Sequence, residues 1–158
     1  MQKVLIIYYS RSGNTEAMAE FVAEGVRNEG LNVECKRVQD TKPEDLLEVD
    51  GIILGSPTYY GTMAAELKKL IDESVKYHGK LESKVGAAFS SSGGVGGGNE
   101  TTVMEMLKAL MIHGMIIQGD SKSDHYGPIA VGKPDDRSRN ECIRRGARVA
   151  KLVKRLAL

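Results

Sequence analysis

The chain has 158 residues, a common length for one domain and too short for two ordinary enzyme domains. Its hydrophobic content of 41% and charged content of 27% are ordinary for a globular protein and exclude a wholly disordered chain. Its 22 lysines and arginines nearly cancel its 21 aspartates and glutamates, leaving a net charge of +1. Proteins that bind nucleic acid through its phosphates are normally clearly basic. We therefore expect a single domain over residues 1–158 and no nucleic-acid partner.

The placement of the cysteines and histidines argues against several further classes of protein. Cys35 and Cys142 cannot form a disulfide framework, and the chain opens without a signal-peptide pattern. No apolar run approaches the roughly 20 residues that a membrane helix needs. His78, His113 and His125 have no metal-ligand spacing. These features predict reduced thiols, a cytoplasmic location, no membrane partner and no metal site.

Strand-like and helix-like patterns alternate from the start of the chain. The apolar run 4–9 predicts a strand buried on both faces. Apolar residues at three- and four-residue spacing over 18–26 predict a helix that ends at Gly30. The more polar run 33–38 predicts a strand near a sheet edge, and Pro43 begins one helical turn.

The same alternation continues to the end. Apolar runs at 51–56, 85–89 and 115–117 predict three more strands. One helix is predicted after each of these strands, from positions at helical spacing that share one face and are apolar except for Ser74: Met63, Leu67, Leu70, Ile71 and Ser74; Val103, Met106, Leu107, Leu110 and Met111; Ile143, Val149, Ala150, Val153 and Leu156. A loop over 119–137 precedes the last helix, and loops that long are usually functional or mobile.

This pattern predicts an α/β three-layer sandwich. We expect a five-stranded parallel sheet in the order 2-1-3-4-5, with helices on both faces. Ligands of such sheets bind beyond the carboxyl ends of the strands, where the strand order reverses. The loops of unusual composition follow strands one, three and four, which are neighbours in this order.

The first of these loops joins a buried strand to the start of a helix. Its residues are Ser10, Arg11, Ser12, Gly13, Asn14 and Thr15. Free backbone N–H groups and the helix dipole favour an anion there. The loop has neither the lysine of a triphosphate loop nor the glycine spacing of a dinucleotide loop, so we expect one terminal phosphate. The alternative is that Ser12 or Asn14 only caps the helix.

The second loop places two aromatic residues at the end of the third strand. Its residues are Pro57, Thr58, Tyr59, Tyr60 and Gly61. Each tyrosine offers a stacking face for a flat ring, and the glycine allows the backbone to come close. The alternative is a turn with surface tyrosines.

The third loop is rich in serine and glycine. It comprises Ser90, Ser91, Ser92, Gly93, Gly94, Gly96 and Gly97, and extends to Gly98. Such a run lets backbone amides approach the edge of a planar ligand, although a flexible surface loop is the alternative. A phosphate nest, an aromatic platform and an amide-rich wall together predict FMN, a flat ring linked to one phosphate.

The motifs in these loops resemble the flavodoxin superfamily. The resemblance lies in Tyr8-Tyr9-Ser10, in the S-x-x-G-N-T loop at 10–15 and in the strand and loop at 51–61. Three further motifs are most similar to the WrbA-type NAD(P)H:quinone oxidoreductases, and the chain resembles a short variant of them: Pro57-Thr58-x-x-Gly61-x-Met63, the run at 90–98 followed by Asn99-Glu100-Thr101, and His113-Gly114-Met115.

This resemblance implies a flavodoxin-like fold with bound FMN. It places the phosphate at 10–15, the ribityl chain and ring beside residues 58–60, and the polar edge of the ring along 90–97. It also places His113 near the flavin, as the one side chain with a possible part in the reaction that the flavin otherwise carries. His113 ends a predicted helix, so capping that helix is the alternative role. The resemblance further implies a homo-oligomer, a dimer or a tetramer.

Three functions are compatible with these features. The favoured one is an FMN-dependent oxidoreductase that takes a hydride from NADH or NADPH and passes two electrons to a quinone or similar small-molecule acceptor. The second is a flavodoxin-type carrier of single electrons between proteins, and the third is a module for another phosphorylated ligand. Carriers typically present a strongly acidic face, which a chain of net charge +1 does not supply, and the glycine run leaves the ring open to a stacked substrate.

Overall fold

A computed structural model describes residues 1–157 and contains one twisted sheet between two layers of helices. The strands are Lys3–Tyr8 (β1), Asn32–Arg37 (β2), Gly51–Pro57 (β3), Val85–Ser92 (β4), Ile116–Ile117 (β5) and Ile129–Val131 (β6). They pair in the order β2-β1-β3-β4-β5, and every pair is parallel. This confirms the predicted strand order.

Four helices cover the sheet. They are Asn14–Asn28 (α1), Ala65–Glu73 (α2), Asn99–Ile112 (α3) and Asp136–Leu156 (α4). A short 3₁₀ helix, Pro43–Glu48, forms the helical turn predicted at Pro43. The second long helix begins at Ala65, so Met63 lies just before it and Ser74 just after it, in a 3₁₀ turn.

Alternate side chains of each central strand enter different cores. Val4 and Ile6 of β1 pack with α1 and α4 on one face of the sheet. Leu5 and Ile7 pack with α2 and α3 on the other face. Both faces of β1 are therefore buried, which explains why its sequence is continuously apolar rather than alternating.

The fifth strand differs from the prediction because it is split in two. β5 pairs with the start of β4, at Val85 and Gly86, and β6 pairs with the end of β4, from Ser90 to Ser92. The predicted loop 119–137 therefore contains a strand. The residues between β5 and β6 leave the sheet and are tied to α4, where Arg145 donates to the carbonyl oxygens of Gln118 at 2.7 Å and Asp124 at 3.1 Å.

The two cysteines lie where the pattern predicts, in β2 and α4. Burial is the main cause that raises the pKa of the Cys35 thiol to about 12, and burial also raises the pKa of the Cys142 thiol. Both side chains are therefore protonated near neutral pH. Among residues 1–157, no helix is both long enough and apolar enough to span a bilayer.

Candidate functional site

Hydrogen bonds connect the three predicted loops at the carboxyl edge of the sheet. The hydroxyls of Thr15 and Ser91 share a hydrogen bond of 2.9 Å, which links the first loop to β4. The Thr58 hydroxyl bonds to that of Ser90 at 3.0 Å, and the Thr58 N–H donates to the Ser91 carbonyl at 2.7 Å. The three loops, which the strand order predicts to be neighbours, thus lie together in space.

The first loop leaves the start of α1 open. Gly13, with φ of 94°, is the residue before the helix, and no side chain in the described part of the chain caps the first turn. The Ser10 hydroxyl instead accepts a hydrogen bond of 3.1 Å from the Gly13 N–H and shapes the loop. The N–H groups of a first helical turn have no acceptor within the helix. They suit an anion, as predicted for residues 10–15.

The second loop is a tight turn with one exposed aromatic ring. The Tyr59 N–H donates to the Thr62 carbonyl at 2.9 Å, and the Thr62 N–H donates back at 3.1 Å. Tyr60 and Gly61 between them have φ of 50° and 78°. The left-handed region is uncommon for a residue other than glycine and often marks a functional turn.

The two predicted stacking residues occupy different environments. Tyr60 is fully exposed to solvent. Tyr59 is partly buried, with its ring against the edge of Tyr9 at a centroid distance of 6.2 Å, and burial raises its pKa. Tyr60 therefore has a ring face free for a ligand.

The glycine-rich loop runs over 93–98 and approaches the second loop closely. A Cβ atom placed on Gly98 would lie 2.8 Å from the Cα of Gly61, so a side chain there would force the two loops apart. Gly93, Gly94 and Gly96 border open space. Their backbone is accessible from outside, which fits the predicted amide-rich wall.

Ser90, Ser91 and Ser92 differ from the prediction, since they are the last residues of β4 and not part of the loop. All three side chains are buried. Their hydroxyls bond to the other elements of this edge; that of Ser92, for example, accepts from the Asn99 amide at 2.9 Å. The three serine hydroxyls thus connect the elements at this edge of the sheet.

His113 lies at the far end of α3 from the three loops. The 14 residues of α3 span about 21 Å at 1.5 Å per residue, so within one chain His113 cannot contact a ligand held by the loops. The Ser74 hydroxyl donates to the Ile71 carbonyl at 2.6 Å, so the bond of 2.8 Å between Ser74 and His113 has Nε2–H as the donor. Burial, with a contribution from His78, lowers the pKa of His113. The predicted place of His113 beside a flavin is thus not reached within one chain, and the residue lies at the end of α3.

A cluster behind the first loop was missed from sequence. The Tyr8 hydroxyl donates to Glu16 at 2.8 Å, and the Arg37 guanidinium donates to the other Glu16 oxygen at 2.7 Å and to the Ser10 carbonyl at 3.2 Å. Burial first, and then the bond to Glu16, raise the pKa of Tyr8 to about 12. The predicted strand order could have indicated this cluster, because β2 neighbours β1 and Arg37 pairs in register with Tyr8.

A groove of about 820 Å³ lies between α2 and α3. Ile71, Val75, Ala109 and Ile112 contribute apolar lining. Val75 and Ile112 are largely exposed, although both are apolar. Within residues 1–157 no cluster of three or more histidine, cysteine or acidic side chains could hold a metal ion.

Comparison with known proteins agrees with this geometry. The model of the Flavodoxin domain family matches residues 5–112. A flavodoxin of Aquifex aeolicus is 41% identical, over 97% of this chain and 88% of its own. An NAD(P)H dehydrogenase (quinone) of Archaeoglobus fulgidus is 33% identical, over 99% of this chain and 100% of its own.

Solved structures give the same result. A flavodoxin from the domain Archaea superposes with a TM-score of 0.82 at 30% identity, over 97% of this chain and 99% of that one. A WrbA-like protein from Agrobacterium tumefaciens superposes with a TM-score of 0.83 at 27% identity, over 98% and 99% of the two chains. Fold, loop geometry and sequence similarity agree: the chain belongs to the flavodoxin family, whose domain implies a bound flavin.

Proposed function

We propose that the protein is an FMN-dependent oxidoreductase that transfers two electrons from NADH or NADPH to a quinone or similar small acceptor. The observation that carries this proposal is the arrangement of three connected loops, with an uncapped helix start, an exposed tyrosine ring and an open glycine wall at one edge of the sheet. FMN has one phosphate and one flat ring, which match these features.

The phosphate of FMN fits the first loop. The backbone N–H groups at the start of α1 would donate to its oxygens, and Ser12 and Asn14 would add side-chain donors. The space beside Gly13 is open where a side chain would otherwise stand. Ser10 and Thr15 are buried and bonded within the protein, so they shape the loop around the phosphate.

The flavin ring fits between the second and third loops. Tyr60 would stack on one part of the ring, and the backbone of 93–97 would lie along its polar edge. When bound, the flavin supplies the hydride and electron chemistry, while the protein orients it and controls access. Tyr60 is the only aromatic residue placed in these two loops with a fully exposed ring, and the glycines leave the approach to the ring open to a flat substrate.

The second candidate function is that of a carrier of single electrons between proteins. A relative named flavodoxin, at 41% identity, favours it, whereas relatives named NAD(P)H dehydrogenase (quinone) are 33% to 39% identical. The charge balance favours the enzyme. With a net charge of +1, the chain has no excess of acidic residues to attract a basic partner protein.

A kinetic assay on FMN-reconstituted protein tests the proposed function. We expect oxidation of NADH or NADPH that depends on both FMN and benzoquinone. Because both substrates would use one face of the ring, double-reciprocal plots at several benzoquinone concentrations should be parallel, as in a ping-pong mechanism. Protein that binds FMN but oxidises neither nicotinamide would favour the carrier.

The homo-oligomer also belongs to this proposal, with a second copy of the chain covering the α2–α3 groove. Each helix contributes one cation and one anion to the groove, Lys68 and Asp72 from α2 and Lys108 and Glu105 from α3. A two-fold axis can therefore pair opposite charges around the apolar centre. Light scattering should show a dimer or tetramer for the wild type and a smaller species for Val75→Glu with Ile112→Glu. An unchanged mass for the double variant would place the interface elsewhere.

A further inference from the structure

We propose that Arg37 is a positioning residue for the phosphate of the flavin. It does not lie on the side of the first loop that would face the phosphate. The inference rests on the FMN site proposed above and assigns a role to a residue on a different strand. Arg37 is the last residue of β2, at the edge of the sheet. Its guanidinium contacts the first loop and the first turn of α1 from behind.

The first contact orients the loop backbone. A loop that binds an anion through N–H groups must turn its carbonyl oxygens away from the anion. Arg37 Nη1 donates to the Ser10 carbonyl at 3.2 Å, while the Ser10 hydroxyl accepts from the Gly13 N–H at 3.1 Å. These two bonds hold both ends of the loop, with the first carbonyl pointing toward β2.

The second contact neutralises a charge that opposes the ligand. Glu16 lies in the first turn of α1, close to the proposed phosphate, and its negative charge would repel a second anion there. Arg37 Nη2 donates to Glu16 Oε2 at 2.7 Å, and the Tyr8 hydroxyl donates to Oε1 at 2.8 Å. Both carboxylate oxygens are thereby engaged, so the dipole of α1 remains available to the phosphate.

A lysine at position 37 cannot make both of these contacts. One guanidinium reaches the carbonyl and the carboxylate through two different nitrogens, with its carbon 5.6 Å from the centroid of the Tyr8 ring. An ammonium group is a single point charge and lacks the planar fork. Arg37→Lys should therefore keep the neutralisation of Glu16 but lose the hold on Ser10.

The chain offers a closely matched control. Arg139 also pairs with a glutamate of α1, Glu24, at 3.6 Å, and its guanidinium carbon also lies over an aromatic ring, Phe21, at 5.2 Å. Within residues 1–157, Arg139 makes no hydrogen bond or ion pair to the first loop. Arg139→Ala removes a similar surface ion pair and should leave flavin binding unchanged.

The test compares FMN with riboflavin, which has the same ring without the phosphate. Flavin fluorescence quenching gives the dissociation constants of both for the wild type, Arg37→Ala, Arg37→Lys and Arg139→Ala. We expect Arg37→Ala to weaken FMN binding about tenfold or more, the effect of losing one charged hydrogen bond, and to leave riboflavin binding unchanged. Arg37→Lys should be intermediate. Adding Glu16→Gln to Arg37→Ala should restore part of the FMN affinity, because it removes the repelling charge.

Two outcomes would overturn the proposal. Equal losses of affinity for FMN and riboflavin in Arg37→Ala would mean a general structural role, and unchanged affinities for both flavins would mean no role. Failure of the FMN site itself has a different signature, since the wild-type protein would then show no preference for FMN over riboflavin. Circular dichroism of each variant identifies any loss of fold, and the combination with Glu16→Gln provides a second, independent readout.

Discussion

At the scale of single residues, Tyr60 combines two properties that rarely occur together. Its backbone is in the left-handed region at φ of 50°, and its ring is fully exposed. Both features are unfavourable without a ligand, since the conformation is strained and the aromatic surface is left in water. The proposed stacking of a flavin ring on Tyr60 would account for the exposed ring.

Replacing the two tyrosines separately tests this role. Tyr60→Ala should raise the dissociation constant for FMN tenfold or more, since stacking of a flat ring contributes about 1–3 kcal/mol. Tyr59→Ala should have a smaller effect on affinity and should lower stability, because Tyr59 is partly buried against Tyr9. Fluorescence titration gives the affinities and thermal unfolding gives the stabilities. A larger loss of affinity in Tyr59→Ala would make Tyr59 the stacking residue.

A second prediction for single residues concerns the loop proposed to bind the phosphate. Ser10→Ala removes the acceptor for the Gly13 N–H, and Asn14→Ala removes a donor at the start of α1. Together they should weaken FMN binding by about 1.5–3 kcal/mol for each charge-assisted bond that is lost. FMN affinity is measured as above, with riboflavin as the control ligand. If the double variant binds FMN as tightly as the wild type, the phosphate lies elsewhere.

At the scale of elements, the contact between α1 and α4 depends on two glycines. A Cβ atom on Gly25 would lie 1.9 Å from the Ile143 carbonyl oxygen, and one on Gly146 would lie 2.0 Å from the Val22 carbonyl oxygen. Real atoms cannot approach this closely, so any side chain must push the helices apart. The helix patterns in the sequence predict both elements, but only the packed structure shows why glycine stands at these positions.

Gly25→Ala should therefore be destabilising although alanine favours helices. Overpacking should lower the free energy of unfolding by about 3 kcal/mol and the Tm by about 10 °C. Arg27→Ala, at an exposed position of the same helix, is the control and should change stability by less than about 0.5 kcal/mol. Thermal unfolding followed by circular dichroism measures both. Equal Tm values for the two variants would show that the helices can separate without loss.

A buried carboxylate, together with the Arg145 contacts, ties the segment between β5 and β6 to α4. Asp120 pairs with Arg144 and Arg148 and accepts a bond of 2.9 Å from the Lys122 N–H. Burial alone would raise the pKa of Asp120, but this bond and the neighbouring arginine charges outweigh burial and lower it. Such a group stabilises the fold above the ordinary aspartate pKa of about 4, and that contribution is lost as the pH falls further.

Asp120→Asn should accordingly lose stability mainly at neutral pH. We expect a decrease of about 2 kcal/mol in the free energy of unfolding at pH 7, because charged hydrogen bonds are removed. The difference from the wild type should shrink below pH 4, where Asp120 itself becomes protonated. Urea unfolding at pH 7 and below pH 4 measures this difference in the free energy of unfolding. A difference that does not change with pH would contradict the role assigned to the carboxylate charge.

At the scale of the whole molecule, the strand order and the positions of the three loops could be predicted because they depend on local patterns. Apolar runs such as 51–56 mark buried strands, and the residues after them mark the binding edge. The split of the fifth strand could not be predicted, since β6 has three residues and depends on a bond of 3.0 Å from the Ile129 N–H to Asp124. The Arg37 cluster depends on side chains that meet only when β1 and β2 pair.

The position of His113 in the fold could not be predicted for the same reason. A motif in the chain suggested a place near the flavin, but the length of α3 carries the residue to the opposite edge of the sheet. Sequence motifs indicate which residues occur together along the chain, whereas distances across a domain depend on helix direction. The three loops were grouped correctly because they all follow the carboxyl ends of parallel strands.

The central claim is that these loops hold FMN and that a nicotinamide reduces it. Anaerobic titration of the FMN-loaded protein with NADH or NADPH, followed by the visible spectrum of the flavin, tests this claim most directly. We expect one equivalent of at least one nicotinamide to bleach the flavin in a single two-electron step, and benzoquinone to restore the colour. A flavin that neither nicotinamide bleaches, and that dithionite reduces in two separate one-electron steps, would exclude the proposed enzyme and identify a carrier.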